Sequence, residues 1–380
     1  MSKPRILYLG YYRGSSGYSR AAAENIMALR DYADLACRNY AAGQSGKPIY
    51  AAIAEYEKVK FQSYDYIIQH FPPYSYISTP EIGKSIGIFY CETDPIPATW
   101  MRSAKLMDGL LLPNKEMTAQ YVNHGLYDGQ PVALATLPSD ISRYTSKQTV
   151  PKKISEFKDG GRFLFYTVGE LVVRKNVQGL VKAFVAEFGR NENVGLVIKS
   201  GGGNDTRNRI AQLVHEVERG SKLYNHAPVF AITDNLTDKE LDGLHDGCDC
   251  YVQPSHSESI SIPAMDALGF GKTPIVTNAG GFLEYVDDTV GWLIPARKAM
   301  VFGEGAIHGE LFTSKKTWWE PDLLELRSSM RQAFTNRIER EEKASRGFER
   351  AYDLFSYETV GPQIIEALSN VTRQKVSQSR

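Results

Sequence analysis

Two stretches of this chain carry side chains suited to chemistry on a charged ligand. In the first, YVQPSHSESISIPAMDALGFG (Tyr251–Gly271), a short apolar run ends in Pro-Ser, a polar loop carries Glu258, and a helix opens near Pro263 with Asp266 one turn in. Proline suits a first helical turn, where backbone N–H groups have no intrahelical partner. The pattern predicts a helix N-terminus and two carboxylates beyond a strand end, which suits a phosphate beside a polyhydroxyl ligand.

The second stretch is YTVGELVVRKNVQGLVKAF, from Tyr166 to Phe184. A predicted strand ends at Gly169, the following loop carries Arg174 and Lys175, and a helix follows. Cations placed between a strand end and a helix would meet an anionic ligand at the carboxyl edge of a sheet.

A third stretch, LGYYRGSSGYSRAAAENIMAL, joins the first predicted strand to the first helix. Gly14 and Gly17 would let backbone N–H groups approach a ligand closely, and Ser16 or Ser19 would cap the helix. The dinucleotide pattern Gly-x-Gly-x-x-Gly is missing, which argues against a dehydrogenase.

Composition limits the class of protein. The chain has 380 residues, so about two domains are expected. Lys plus Arg (44) equals Asp plus Glu (44), so no global field favours nucleic acid or an anionic membrane. No basic start precedes an apolar run, no apolar run has the ~20 residues of a membrane helix, and the four cysteines form no disulfide framework. We therefore expect a reduced, cytoplasmic protein without a metal site.

Short apolar runs alternate with helical patterns along the whole chain. Such alternation predicts doubly wound α/β architecture with parallel strands buried on both faces. The polar stretch 145–161 reads as an interdomain linker. We therefore expect two Rossmann-like domains, at residues 1–148 and 160–335.

These stretches resemble the retaining glycosyltransferases of family four, the glycosyl transferases group 1, which have the GT-B fold. The family motif reads Glu, seven residues, Glu, and this chain has Glu258, seven residues, Asp266. The resemblance implies that the two domains face each other across a cleft, with the acceptor domain at 1–148 and the nucleotide-sugar donor domain at 160–335. It also implies that a C-terminal helix at 337–370 crosses back to complete the N-terminal domain. It covers most of the chain and is strongest from Tyr166 to Ile294.

The resemblance also implies roles in donor binding. Lys175 matches the family lysine that holds the donor diphosphate; Glu170 stands where the family often has Arg, so Arg174 would supply the second positive charge. Glu258 would bind sugar hydroxyls, and Asp266, one methylene shorter than Glu, the nucleotide ribose. The remaining donor-binding positions that it implies are Gly14, Gly17, Gly169, Ser261, Gly280 and Gly281.

On the acceptor side the resemblance is weaker. The segment from Phe89 to Asn114 places Glu92 and Asp94 after a strand, with Asp94 as a catalytic candidate. The usual family histidine of this neighbourhood is missing, and Cys91 and Glu92 stand there instead. Residues expected to contact the acceptor are Arg13, Tyr18, Arg20 and Glu92.

The function implied is transfer of a sugar from a UDP- or GDP-sugar to an acceptor hydroxyl with retention of configuration. No tightly bound cofactor and no metal is required, because the cations and helix N-termini would neutralise the leaving group. Three alternatives remain: the same chemistry on a hydroxylated base of DNA, a nucleotide-sugar-binding module without catalysis, and a GT-B epimerase or phosphorylase. The acceptor itself, whether small molecule, saccharide or nucleic acid, is left open.

Overall fold

The structure is a computed structural model, and it describes residues 2–14, 16–40, 46–303 and 309–378. The chain forms two compact units. Unit 1 comprises Met1–Asp140 with Asp353–Arg380, and unit 2 comprises Ile141–Tyr352.

Unit 1 is built on a six-stranded parallel sheet in the order β2-β1-β3-β4-β5-β6. Its strands are β1 Arg5–Gly10, β2 Asp34–Asn39, β3 Tyr66–His70, β4 Lys84–Ile88, β5 Gly109–Leu112 and β6 Val132–Leu134. Its helices are α1 Gly17–Leu29, α2 Ile53–Tyr56, α3 Ala98–Ala104, α4 Lys115–Val122 and α13 Tyr357–Gln378.

Helix α13 returns to unit 1 from the far end of the sequence. Its residues Val360, Ile364, Leu368 and Val371 are spaced along one face and lie buried in the core of unit 1. The helix packs on α1, β5 and β6. A Cβ atom at Gly361 would lie 2.4 Å from the carbonyl oxygen of Ala28, so only glycine permits this approach to α1.

Unit 2 contains a second six-stranded parallel sheet, in the order β12-β11-β10-β7-β8-β9. Its strands are β7 Phe163–Val168, β8 Val194–Lys199, β9 Val229–Ile232, β10 Cys250–Gln253, β11 Thr273–Thr277 and β12 Trp292–Ile294, followed by an antiparallel hairpin of β13 Ala296–Met300 and β14 Thr317–Pro321. Its helices are α5 Ser142–Thr145, α6 Lys152–Phe157, α7 Val177–Glu187, α8 Gly203–Ser221, α9 Asp238–Gly247, α10 Ile262–Gly269 and α11 Leu323–Thr335, and α12 Arg337–Phe355 leads back towards unit 1.

The stretch expected to be a linker differs from the prediction. Residues 145–161 lie inside unit 2 and contain helix α6, which packs on α9 and buries Ile154 completely. The chain leaves unit 1 earlier, at Asp140. The lysines of this stretch are typical of a solvated linker. Its apolar side chains Val150 and Ile154, however, pack against Gly247 of α9.

The packing of α13 makes a stability prediction. Leu368 is fully buried, so Leu368→Ala removes a packed side chain and should destabilise unit 1 by about 2–5 kcal/mol. Leu324, on α11, is 69% exposed, and Leu324→Ala is the matched control. Thermal unfolding followed by circular dichroism should show an earlier transition for Leu368→Ala only. Equal midpoints for the two variants would contradict the packing role of α13.

A buried histidine in unit 2 makes stability depend on pH. Burial lowers the pKa of His245 from its ordinary value to about 4, while Tyr166 OH lies 2.9 Å from its Nδ1 atom. In the unfolded chain the histidine binds a proton near pH 6.5, whereas in the folded chain it stays neutral until about pH 4. The contribution of neutral His245 to the free energy of unfolding is therefore complete above pH 6.5 and is lost as the pH falls towards 4. We expect His245→Gln to flatten the fall in unfolding midpoint between pH 6.5 and 4. The exposed His215→Gln should leave the slope unchanged, and a slope equally steep in both variants would contradict the assignment.

Candidate donor site in unit 2

A buried carboxylate lies at the centre of the candidate site. Glu258 follows the carboxyl end of β10 and is 4% exposed. Its Oε1 atom lies 2.7 Å from Lys175 Nζ and 3.1 Å from Arg174 Nη1. Burial alone would raise the pKa of Glu258, but the charges of Lys175 and Arg174 outweigh burial and hold its pKa below the ordinary value. The structure therefore brings together the two predicted stretches as one ion cluster.

The two cations are positioned by the backbone that follows β7. A short 3-10 helix, Val173–Lys175, leads into Asn176, which has the left-handed φ of 50° and accepts a hydrogen bond from Gly179 N as the cap of α7. Asparagine is among the residues that tolerate this conformation. Asn176 Nδ2 also donates to Pro254 O at 3.0 Å. The side chain of Lys175 lies over Gly169, where an added Cβ would lie 3.5 Å from Lys175 Cε.

Backbone contacts join the cationic loop to the Glu258 loop. Arg174 Nη1 donates to Ser257 O at 2.9 Å, and His256 N donates to Arg174 O at 2.8 Å. His256 is itself held by the hairpin, because its ring stacks on Trp318 with centroids 4.5 Å apart and its carbonyl accepts from Trp319 N. These contacts therefore join the two loops to each other and to the hairpin.

The orientation of Glu258 depends on Gln253, which the sequence reading missed. Gln253 is 1% exposed, and its Nε2 atom donates to Glu258 Oε1 at 2.8 Å and to Ser255 Oγ at 2.9 Å. Its Oε1 atom accepts from Ser261 Oγ at 2.7 Å and from Tyr251 OH. An amide has two donors and an acceptor oxygen, so every polar group of this side chain is used. A single glutamine closing the otherwise apolar strand CYVQ was the available signal.

Two glycines allow the next loop to press against the Glu258 loop. Gly280 has a φ of +62°, and a Cβ there would lie 2.7 Å from Glu258 O. A Cβ at Gly281 would lie 2.2 Å from Ser259 O, while Gly281 N donates to Glu258 O at 2.7 Å. Both glycines therefore support the loop that carries the central carboxylate.

Asp266, the second carboxylate of the motif, lies on α10 and is 3% exposed. It accepts from Arg143 Nη1 at 3.2 Å and from Tyr144 OH at 3.0 Å, and Arg143 is also paired with Asp242. Arg143 was not among the predicted site residues, because its stretch read as the approach to a linker. Burial raises the pKa of Tyr251, and the charges of Glu258 and then Asp266 raise it further.

The other predicted residues lie in unit 1, around the carboxyl ends of β1 and β4. Gly14 lies in the loop after β1, and Gly17 is the first residue of α1, where a Cβ would meet no atom within 4 Å. Ser16 caps α1 by accepting from Ser19 N. The start of α1 is therefore open at Gly17.

The two cations that were expected to contact the acceptor, Arg13 and Arg20, form ion pairs within unit 1. Arg13 forms a bidentate pair with Glu57 and donates to Gly46 O, and Arg20 pairs with Glu24 at 3.4 Å. Tyr18 OH accepts from Tyr90 N at 3.0 Å. Neither arginine therefore presents an uncompensated charge to an acceptor.

Glu92 and Asp94 follow β4, and both are half-buried. Asp94 does not cap the next helix, because α3 begins at Ala98 with Pro97 at the cap position and no side-chain cap. Among residues 2–14, 16–40, 46–303 and 309–378, no group of three or more His, Cys, Asp or Glu side chains is placed to hold a metal ion, and no helix is long and apolar enough to span a membrane.

Residues 150–308 match the family model for glycosyl transferases group 1. The matched stretch contains Arg174, Lys175, Glu258 and Asp266. Among curated proteins, sucrose synthase 2 of Pisum sativum is 24% identical over 191 residues, which is 48% of this chain and 23% of that relative. The chain thus matches under a quarter of the length of that relative.

Solved structures of similar fold cover nearly the whole chain. HepE of Anabaena, solved in complex with UDP-glucose, has a TM-score of 0.67 and 15% identity over 97% of this chain and all of that chain. Sucrose-phosphate synthase of Thermosynechococcus elongatus has a TM-score of 0.64 and 14% identity over 99% of this chain and all of that chain. With two parallel six-stranded α/β units, the fold is GT-B, as the sequence predicted.

The contacts of Gln253 lead to a prediction for the site. Gln253→Leu would leave four buried polar partners short of one hydrogen bond each, and every unsatisfied buried group costs about 1–3 kcal/mol. We expect a clear fall in the thermal midpoint. Gln178→Leu on α7, where the side chain is exposed, is the control. A variant as stable as this control would show that Gln253 does not organise the loop.

Proposed function

We propose that the chain is a glycosyltransferase that moves a sugar from a UDP-sugar bound in unit 2 to the hydroxyl of an acceptor. The observation that carries the proposal is the ion cluster in which Lys175 and Arg174 converge on Glu258. UDP is favoured over GDP because HepE, which shares the fold, binds UDP-glucose. The group 1 match over residues 150–308 supports the same assignment, because it includes all three residues of the cluster.

The cluster suits the difficult step of the reaction. As the bond from the anomeric carbon to the diphosphate breaks, negative charge grows on the phosphate oxygens and positive charge grows on the sugar ring. Lys175 and Arg174 would stabilise the phosphate, and Glu258 would bind sugar hydroxyls and favour the positive ring. A hydrogen-bond donor that is already oriented towards the growing charge contributes about 2.7–4 kcal/mol to a step of this kind.

Ribose binding is proposed for Asp266. The pair with Arg143 fixes the orientation of its carboxylate, and an acceptor of hydrogen bonds from a ribose needs a fixed orientation. Gly169, Ser261, Gly280 and Gly281 would line the donor by backbone approach, as would Gly14 and Gly17 from unit 1.

Retention of configuration is also part of the proposal. The acceptor hydroxyl would attack the face that the diphosphate leaves, and the leaving phosphate would take its proton. Glu92 and Asp94 would orient that hydroxyl from unit 1. The chemistry proposed here needs no metal, because the two cations supply the positive charge.

One rival function is a module that binds a nucleotide sugar without transferring it. Glu170 and Asp266 motivate this rival, because each departs from the family pattern. Binding alone would leave the donor intact in the presence of any acceptor. Turnover therefore separates the two functions.

The donor site is tested by thermal shift with UDP, GDP, ADP, CMP, dTDP and their common sugar conjugates. A ligand at 100 times its Kd should stabilise the wild type by about 2.7 kcal/mol. We expect stabilisation by UDP and UDP-sugars that disappears in Lys175→Ala. Lys182→Ala, which removes an exposed lysine of neighbouring α7, is the control and should keep the shift.

Turnover and stereochemistry complete the test. Release of UDP that depends on Lys175, with an α-linked product from an α-linked donor by NMR, is the expected result. No shift with any nucleotide would contradict the donor site. Binding of UDP-sugar without turnover on any acceptor would favour the binding module, and an inverted product would contradict retention.

A further inference from the structure

Aromatic rings cover the carboxyl edge of the sheet in unit 1. Tyr11 follows β1, Tyr40 follows β2, Phe71 follows β3 and Tyr90 follows β4. The Tyr40 and Phe71 rings stack with centroids 4.3 Å apart, and the Tyr11 ring packs against both at 5.8 and 6.1 Å. We call this set the tyrosine platform. Its other members are Tyr18, Tyr76 and Tyr90, which join it through ring contacts, and Tyr74, which lies three residues after Phe71 and packs on Trp100.

The platform is open to solvent at two of its rings. Tyr40 is 41% exposed, and Tyr74, which packs edge-on against Trp100, is 57% exposed. Behind them Tyr18 and Tyr90 pack with centroids 4.8 Å apart. Ligands of open parallel sheets bind at the carboxyl ends of the strands, so exposed rings at this edge are placed to contact one.

Polar groups without protein partners lie at the same edge. Three buried atoms there, His70 Nε2, Tyr76 OH and Thr93 Oγ1, have no hydrogen-bond partner among the described residues. Buried polar atoms are nearly always satisfied in native proteins, so three near the ends of β3 and β4 call for a further partner. Glu92, which follows β4 at the same edge, is half-buried.

The charge of this edge argues against an anionic ligand. Arg13 is paired with Glu57, and Arg20 is paired with Glu24. Arg38, near the end of β2, is held by three backbone carbonyl oxygens. Recognition of a phosphate or of a nucleic-acid backbone relies on cations that face the ligand. Here Glu92 and Asp94 would face it instead, and carboxylates repel phosphate but accept hydrogen bonds from hydroxyls.

We propose that the tyrosine platform binds the acceptor and that the acceptor is an uncharged saccharide. The apolar faces of its rings would stack on Tyr40 and Tyr74, and its hydroxyls would bond to Glu92. This inference rests on the proposed function, since an acceptor presupposes transfer. In that transfer the bond from the anomeric carbon to the diphosphate breaks, a bond to the saccharide oxygen forms, and the hydroxyl proton goes to the leaving phosphate.

The class of acceptor is tested first on a glycan array that carries neutral, phosphorylated and sulfated glycans, with an oligonucleotide containing 5-hydroxymethylcytosine beside it. We expect binding to at least one neutral glycan and weaker binding to its phosphorylated counterpart. No binding to any neutral glycan, or preference for phosphorylated glycans or for the oligonucleotide, would overturn the proposal. Binding to long glycans alone would indicate the end of a polysaccharide. Binding to short glycans as well would indicate a free oligosaccharide.

The platform is tested by substitution of its exposed rings. Tyr40→Ala and Tyr74→Ala should each weaken binding of the selected neutral glycan about tenfold, which equals about 1.4 kcal/mol, while the thermal shift by UDP stays unchanged. Tyr224→Ala is the matched control, because Tyr224 is 64% exposed and lies in unit 2. Full glycan affinity in both platform variants would overturn the assignment.

The two levels of the argument fail separately. Loss of the UDP shift in the wild type contradicts the donor site whatever the array shows. A normal UDP shift with no neutral glycan bound contradicts only the tyrosine platform. Conservative replacement, Tyr74→Phe, should keep most of the stacking and so restore most of the affinity lost in Tyr74→Ala.

Discussion

The burial of one carboxylate between two cations governs the organisation of unit 2. A carboxylate that is 4% exposed cannot keep its charge without compensation, and Lys175 with Arg174 supplies it. Removing one partner of a buried ion pair costs about 3–5 kcal/mol, because the remaining charge is left in a poor environment. The loops after β7 and β10 are therefore tied to each other through side chains as well as through the backbone bonds of Arg174.

Most other features of the site follow from that constraint. Gln253 must present an N–H group to Glu258, so a polar residue closes a strand whose other members are apolar. The backbone after β11 can reach the Glu258 loop only because Gly280 and Gly281 lack side chains. The hairpin of β13 and β14 supports the loop from another side, through Trp318 against His256. A ligand with its own negative charge would enter a site whose cations are already oriented and whose carboxylate is already held.

How much the sequence could predict depended on whether a feature is local. Strands such as Phe163–Val168 and Trp292–Ile294 can be predicted from the sequence, because a continuous apolar run is recorded in neighbouring positions. Strand β2, DLACRN, gives a weaker signal because Asp34 and Arg38 flank its short apolar run. The hairpin strands also give a weak signal, because ARKAM carries Arg297 and Lys298 and TWWEP carries Glu320 and Pro321. Only the resemblance to a family predicted that Lys175 and Glu258 belong to the same site. Arg143 could not be found, since its partners Asp266 and Asp242 lie far along the chain and no local pattern joins them.

The contrast between the two carboxyl edges bears on what each unit selects. In unit 2 the charged groups at the strand ends pair with one another. A ligand that competes for Lys175 must therefore offer an anion that Lys175 binds more strongly than it binds Glu258. In unit 1 the edge is made of rings, and the cations nearby are already paired, so selectivity there would come from shape and from hydroxyl geometry. Electrostatic attraction between charged groups acts over several ångströms but distinguishes poorly between one neutral ligand and another, whereas ring stacking acts only at contact. A chain that joins a charged edge to an aromatic one is suited to distinguish two substrates of different chemistry, because neither edge offers the other substrate what it needs.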